Sequence, residues 1–587
     1  MRRPRDPPGE GSAVRPRLGR IRGDRPPRLA RTQILVARQR AGSGRGRQGH
    51  QQGAASTRRP SGGRGGVAAW QAGHALLAQR ARRVVVKARI VRHGAKMTPL
   101  RAHLSYLRRE GVTRDGQPAR MFDAAGDDAD AGAFARRAEG DRRHFRFIVS
   151  PEDAAELTDL HAHTRDLVRQ MEQDLGIGLD WVAVDHWNTD NPHVHLIVRG
   201  QTDRGADLTI HREYIIRGLR ARAEDLATME LGPRSEREIR HRLGREVAAE
   251  RWTQLDRTLQ RMAEQQPEGI VDLRPSAAGP EDDPEIRSLL IGRLQRLEAM
   301  GLAQPEGSAQ WRLSENAEQT LRDMGLRGDI IRTMNRALGR ETSDAIIHDL
   351  AGPAQPVVGR VAGKGLDDEL AGRPYLMVEG VDGRSHYVRL GPAAAITDIP
   401  DNAIVRAATD RGGRWTSVRV LSDWSLDRQV TAQGATWLDR ELVAREKTPL
   451  APSGFGGEVG AALESRTKHL VGQGLARRRG QQVLFVSDLL GTLQREELAA
   501  VAKTIGHETG LTHHAMTDGE TVRGRYHRRE TLASGRFALI VNDAEGEFSL
   551  VPWRPEVERA LGRDVAATLR GQSVTWQFGS DRGLEVW

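Results

Sequence analysis

Three of the chain's 19 histidines fall within ten residues at the start of HWNTDNPHVHLIVRG (186–200). In an extended strand alternate side chains share a face, so His193 and His195 point one way and Val194 into the opposite layer. His186 ends the preceding run WVAVDH (181–186). The WNTDNP between them carries Asn, Asp and Pro turn chemistry, so a hairpin brings His186 to the same face. Three imidazoles converging from a rigid support, with other positions open, is what a catalytic metal ion needs. Neutral imidazole suits zinc, manganese, iron or nickel, so the histidines alone do not name the metal. One buried histidine is ordinarily a satisfied core residue, but a third across a tight turn is hard to explain by packing. Asp185, Asn188 and Asp190 are near enough to orient imidazole N–H groups, although each also suits an Asx-turn.

Such a site needs a nucleophile or an activated water. Cysteine is absent, which also excludes disulfides and thiolate metal sites and fits a reducing cytoplasm. Tyrosine is scarce: Tyr106, Tyr214, Tyr375, Tyr387 and Tyr526 are all there are. Tyr106 and Tyr214 lie in the first folded segment, and Tyr106 sits amid Arg101, Arg108 and Arg109. A phenol of pKa near 10 is a poor nucleophile unless cations or a base stabilise the phenolate. Arginines would do so and would hold phosphates bidentately. The alternative is that Tyr106 packs on a helix face beside a solvated basic patch.

The elements that position these residues read as an α+β domain over 82–265. RRVVVKARIVRH (82–93) and HFRFIVS (144–150) are strands, and the two histidine runs supply a hairpin. TPLRAHLSYLRREG (98–111) is a helix with Thr98 as N-cap, and PEDAAELTDLHAHTRDLVRQMEQDLG (151–176) a long amphipathic one. The sheet is expected to be largely antiparallel and flanked by helices. Residues 280–345 read as a winged-helix-like module or a plain helical linker, 355–425 as a small β-barrel or sandwich, and 430–587 as a mixed α/β region. No long internal repeat is evident. The length, 587 residues, suits roughly three or four domains.

The net charge of +12 is unevenly spread. Residues 1–80 hold 18 of the 90 Lys+Arg but 3 of the 78 Asp+Glu, so the remainder is slightly acidic. An Arg/Gly/Pro-rich leader over 1–81 lacks the apolar content to fold and suits polyanions, nucleic acid above all, through phosphate contacts. No apolar run approaches the roughly 18 residues of a membrane span, and the basic N-terminus leads into no secretion-signal core.

With these pieces assembled, the sequence resembles the HUH endonuclease superfamily, and within it the conjugative relaxases, or mobilisation nucleases, of the MOB-P type. His193-Val194-His195 matches the His-hydrophobic-His signature, and His186 the upstream third histidine. AHLSYLRREG is similar to the tyrosine motif, and HFRFIVSPED to a motif whose serine contacts DNA near the cut. EYIIRGLRARAEDLATMELGPR, ATWLDRELV and LVPWRP also look like this group. The resemblance implies an HUH-type fold, Tyr106 as nucleophile, Ser150 at the DNA, and His186, His193 and His195 around Mg²⁺ or Mn²⁺. It further implies single-stranded and supercoiled origin-of-transfer DNA as substrate, with relaxosome proteins and a type IV secretion coupling protein as partners. The protein is then expected in a bacterial cytoplasm and is exported with the strand. Two features depart from the pattern. About 80 residues precede the tyrosine motif, and Asn188 stands where many members have an acid, so Asp185 or Asp190 would substitute. VVGRVAGKGLDD (357–368) comes nearest to a phosphate-binding loop but lacks its spacing and its Ser/Thr, which argues against a built-in helicase. A rolling-circle initiator shares this chemistry; a DNA-binding regulator with a structural metal is the competitor from another class.

Overall fold

The first sheet is built by alternation. β1 (Val84–Arg92), β2 (Arg143–Pro151), β3 (Leu179–His186) and β4 (His193–Thr202) lie in the order β1-β2-β4-β3, each pair antiparallel. This is a computed structural model. It describes Leu76 and residues 80–578, apart from 94–99, 111–112, 188, 190, 267, 276–282, 342–343, 349–351, 354, 392–395, 397, 410–414 and 572. The leader apart from Leu76, Arg80 and Ala81, the Thr98 cap, Asn188 and Asp190 therefore lie outside the described residues, and Leu76 is buried with Ile239 and Leu243 rather than unfolded. One face of the sheet carries Phe145, Phe147, Val149, Trp181, Val194 and Leu196 against helices α3 (Leu160–Leu175) and α4 (Leu219–Leu231). The other carries Val182, Val184 and Ile197 against α1 (Leu100–Glu110) and α2 (Ala131–Arg137). The helix expected over 151–176 starts only at Leu160, because the Asp159 carboxylate accepts from His161 N and Ala162 N and caps it there. Gly176, at φ 70°, ends it.

α5 (Glu236–Val247) and α6 (Gln254–Glu264) share their core with α7 (Pro284–Ala299), Trp311 and α8 (Ala317–Leu338). They thus pack with the module expected at 280–345 rather than with the first sheet. Three short strands complete that unit: β5 (Ile270–Asp272), β6 (Ala303–Gly307) and β7 (Gln310–Leu313). In place of a barrel or sandwich, the next segment forms a six-stranded sheet. Its strands β8 (Ala345–His348), β9 (Val357–Asp368), β10 (Arg373–Gly380), β11 (Ser385–Arg389), β12 (Ile404–Thr409) and β13 (Thr416–Ser422) run in the order β13-β12-β9-β10-β11-β8. VVGRVAGKGLDD is β9 itself, and its glycines serve close strand approach. A Cβ at Gly359 would lie 2.1 Å from the Glu379 carbonyl of β10.

The chain then returns to helices α9 (Leu426–Val430), α10 (Trp437–Val443) and α11 (Gly454–Gly472), the hairpin β14 (Ala476–Arg479) and β15 (Gln482–Phe485), and α12 (Leu489–Thr509). A last six-stranded sheet spans 512–578. This second helical unit repeats the first. Arg293 and Arg466, both without solvent exposure, bind Asp256 and Asp439 through Nε and Nη2. Nη1 of Arg293 reaches the carbonyls of Val247 and Ala249, and Nη2 that of Arg251. Arg466 makes the same contacts to Val430, Ala432 and Gly434. All five guanidinium donors are satisfied in each copy, which is what makes a buried cation tolerable. The duplication corrects the expectation of no repeat. Its traces are TQLDRTL (253–259) against TWLDREL (436–442), and Arg293 and Arg466 each standing eight residues before Gly-Leu-Ala. Unequal linkers between those two traces hide it.

Candidate metal centre

The hairpin register sets the three histidines. His186 pairs directly with His193 across β3 and β4, and His195 follows two residues on, facing α1. Ring centroids lie 4.5 Å apart for His186–His195, 4.9 Å for His193–His195 and 5.4 Å for His186–His193. Backbone carbonyls choose the tautomers. His193 Nδ1 donates to Asn191 O at 2.9 Å and His186 Nε2 to Leu107 O at 3.0 Å. A carbonyl only accepts, so each ring keeps its lone pair on the other nitrogen, the usual support of a ligating imidazole.

A fourth donor, absent from the sequence reading, closes the cluster. Glu369 lies in the turn between β9 and β10, and its Oε2 stands 3.3 Å from Nε2 of both His193 and His195. Those two nitrogens are 3.2 Å apart. Ligands at 2.0–2.1 Å around a tetrahedral ion stand roughly 3.3–3.4 Å from one another, so the donor set and its spacing fit a divalent cation. One atom from each of the four residues falls within 4.8 Å of the others. Burial, then the neighbouring His195 and His193, holds His186 down to about 3, neutral as ligation requires. Burial likewise lowers His195. At His193 burial is outweighed by the hydrogen bond it can donate to the Glu369 carboxylate, and its pKa is raised. Burial alone would raise the Glu369 carboxyl, but His193 and His195 overrule it and hold it well below the carboxylate range.

A family model described as "Protein of unknown function (DUF3363)" matches residues 290–416 and 407–585. Together the two matches run from 290 to 585, just over half of the 587 residues. The chain belongs to this family. No curated protein and no solved structure matches it. The DUF3363 segment therefore includes β9, β10 and Glu369, whereas the three histidines lie outside it. Arg146, buried on β2, ties the segment to the first sheet by donating from Nη1 to Leu370 O at 3.1 Å. Its Nε meets His144 Nε2 at 2.9 Å, and burial lowers its pKa to about 10.

The remaining expected residues divide. Tyr106 and Ser150 line the same cleft of 1720 Å³ as His186, His193 and Glu369. Ser150 Oγ donates to Pro192 O at 3.2 Å. Tyr106 is 9% exposed and belongs to an apolar cluster that continues into the core of the DUF3363 sheet. Asp185 is not brought to the histidines. It alternates with His186 onto the opposite face, where it pairs with His161 Nε2 at 3.1 Å and accepts from Trp187. Arg101 and Arg108 are exposed, and Arg108 lines a different cleft with His161 and Asp185. Two residues along a helix turn about 200°, so Arg108 cannot serve a phenolate at Tyr106. The side chain of Arg109 is outside the described residues. Tyr375 and Tyr387 join the Tyr106 cleft from β10 and β11, stacked with centroids 4.5 Å apart. Tyr387 donates to Asp367, and burial followed by that carboxylate raises its pKa, which disfavours it as a nucleophile. Arg146 left no signal of its own: in HFRFIVS it and His144 alternate with Phe145, Phe147 and Val149 and read as the outward face, whereas the structure buries both.

Proposed function

We propose that the chain is a DNA relaxase that nicks one strand at an origin of transfer and religates it. The observation that carries this reading is that Tyr106 shares one cleft with His186 and His193, two members of a cluster that His195 completes. A divalent ion, magnesium or manganese, held by His186, His193 and His195 would polarise the scissile phosphate and offset the charge that builds in the transition state. Tyr106 attacks phosphorus in line; the Tyr–O–P bond forms as the bond to the 3′ oxygen breaks. One proton leaves the phenol and one joins the departing oxygen. The 5′-phosphotyrosyl bond keeps the phosphodiester's energy, so the reverse step closes the strand without ATP. Ser150, at the lip of the cleft, contacts the strand beside the cut. Strand separation, accessory relaxosome proteins and a secretion coupling protein are supplied from outside the chain.

A second reading, a DNA-binding regulator with a structural cation, is favoured by one observation: four protein donors close a tetrahedral ion, and closed sites are structural ones. Denaturant-resistant protein–DNA bands separate the two. With Mn²⁺ and supercoiled or single-stranded origin DNA, the full chain forms a covalent adduct and Tyr106→Phe forms none. An adduct mapped to Tyr375 or Tyr387 moves the nucleophile and points to a rolling-circle initiator. No nicking with any of several divalent metals leaves the regulator.

A further inference from the structure

We infer that Glu369 is a fourth ligand of the cation, so that the DUF3363 segment is a working part of the metal centre. The inference rests on the three-histidine metal reading and extends it to a residue that neither the resemblance nor the family description names. Two observations carry it. Glu369 Oε2 is equidistant, at 3.3 Å, from Nε2 of His193 and Nε2 of His195. A chance surface ion pair settles on one partner, whereas a shared cation draws all donors to one point.

The turn is also held in place rather than left free. Ala371 N donates to Asp368 Oδ1 at 2.9 Å, Arg373 Nη2 to Asp368 Oδ2 at 2.8 Å, and Arg146 grips Leu370 O from the sheet. Gly372, at φ 65°, takes the left-handed backbone conformation with which the turn passes over Arg146 and His103. With Glu369 in the set, the choice of metal narrows. Three imidazoles with one carboxylate suit Mn²⁺ and its transition-metal neighbours better than Mg²⁺, which prefers oxygen donors and water. Around a six-coordinate ion two positions remain for substrate oxygens.

The test is Mn²⁺ binding by the full chain, read as free Mn²⁺ by electron paramagnetic resonance. Wild type binds one ion. Glu369→Gln, which keeps shape and loses charge, is expected to weaken binding by about tenfold or more. Its melting in EDTA stays as in wild type, which shows that the fold is intact. His195→Ala binds none. If Glu369→Gln binds as tightly as wild type while His195→Ala does not bind, the carboxylate is no ligand and the three-histidine site stands alone. If wild type takes up no Mn²⁺, Zn²⁺ or Ni²⁺, the metal reading falls together with this one.

Discussion

Imidazoles in the first domain are sorted by what holds their second nitrogen. Carbonyls hold His186 and His193 and leave lone pairs facing the cluster. Carboxylates hold His161, which pairs with Asp185 at 3.1 Å and Asp127 at 3.0 Å and stacks on Phe122. Burial pulls the His161 pKa down, but Asp185 and Asp127 more than offset it, and the net shift is upward. A raised folded pKa contributes stability that is fully present below the unfolded value of about 6.5 and is lost as pH rises through the folded value. His161→Gln is therefore expected to lower the urea midpoint most below about pH 6.5, with the gap to wild type closing as the pH rises above that value. A gap that widens with pH would reverse the assignment. At this scale the histidines were legible because spacing and alternation are local. Glu369 was not, because LDDELAGRP reads as any polar turn and its role comes only from tertiary docking. Asp185 was misplaced for a simpler reason: nearness in sequence to His186 is, in a strand, the opposite face.

Among elements, the paired helical units show how much can repeat without showing. Each is centred on a guanidinium that threads the carbonyls of one turn and the carboxylate of a capping box. Arg293→Met leaves Asp256 buried and uncompensated and should cost about 3–5 kcal/mol. Hydrogen exchange would show α6 and α7 losing protection while α10 and α11, with Arg466 intact, keep theirs. Loss in both units together would mean they unfold as one. The first sheet and most helix spans followed from apolar periodicity. The duplication did not, since what recurs is a handful of buried polar contacts rather than a pattern of apolar residues. The six-stranded sheet likewise departs from the expected barrel, as strand order depends on which edges meet and not on the strands themselves.

For the molecule as a whole, charge and connectivity matter most. No helix among the described residues is long and apolar enough to cross a membrane. The excess positive charge lies in residues 1–80, and the cleft itself is lined by Lys/Arg and Asp/Glu in near balance. If the leader supplies the phosphate contacts, removing 1–75 should flatten the dependence of DNA affinity on salt, each lost contact reducing the log–log slope by about 0.7 on single strands. Fluorescence anisotropy across a salt series measures this, and an unchanged slope would move the contacts to the folded domains. Glu369 also carries a consequence in time. During synthesis His195 is made 369 − 195 = 174 residues before Glu369. At 5–20 residues per second, roughly 9–35 s pass in which the sheet has its imidazoles but not its carboxylate. If the cluster binds a cation, its fourth donor arrives only as the β9–β10 hairpin leaves the ribosome, and a nascent or prematurely terminated chain would hold that cation least well.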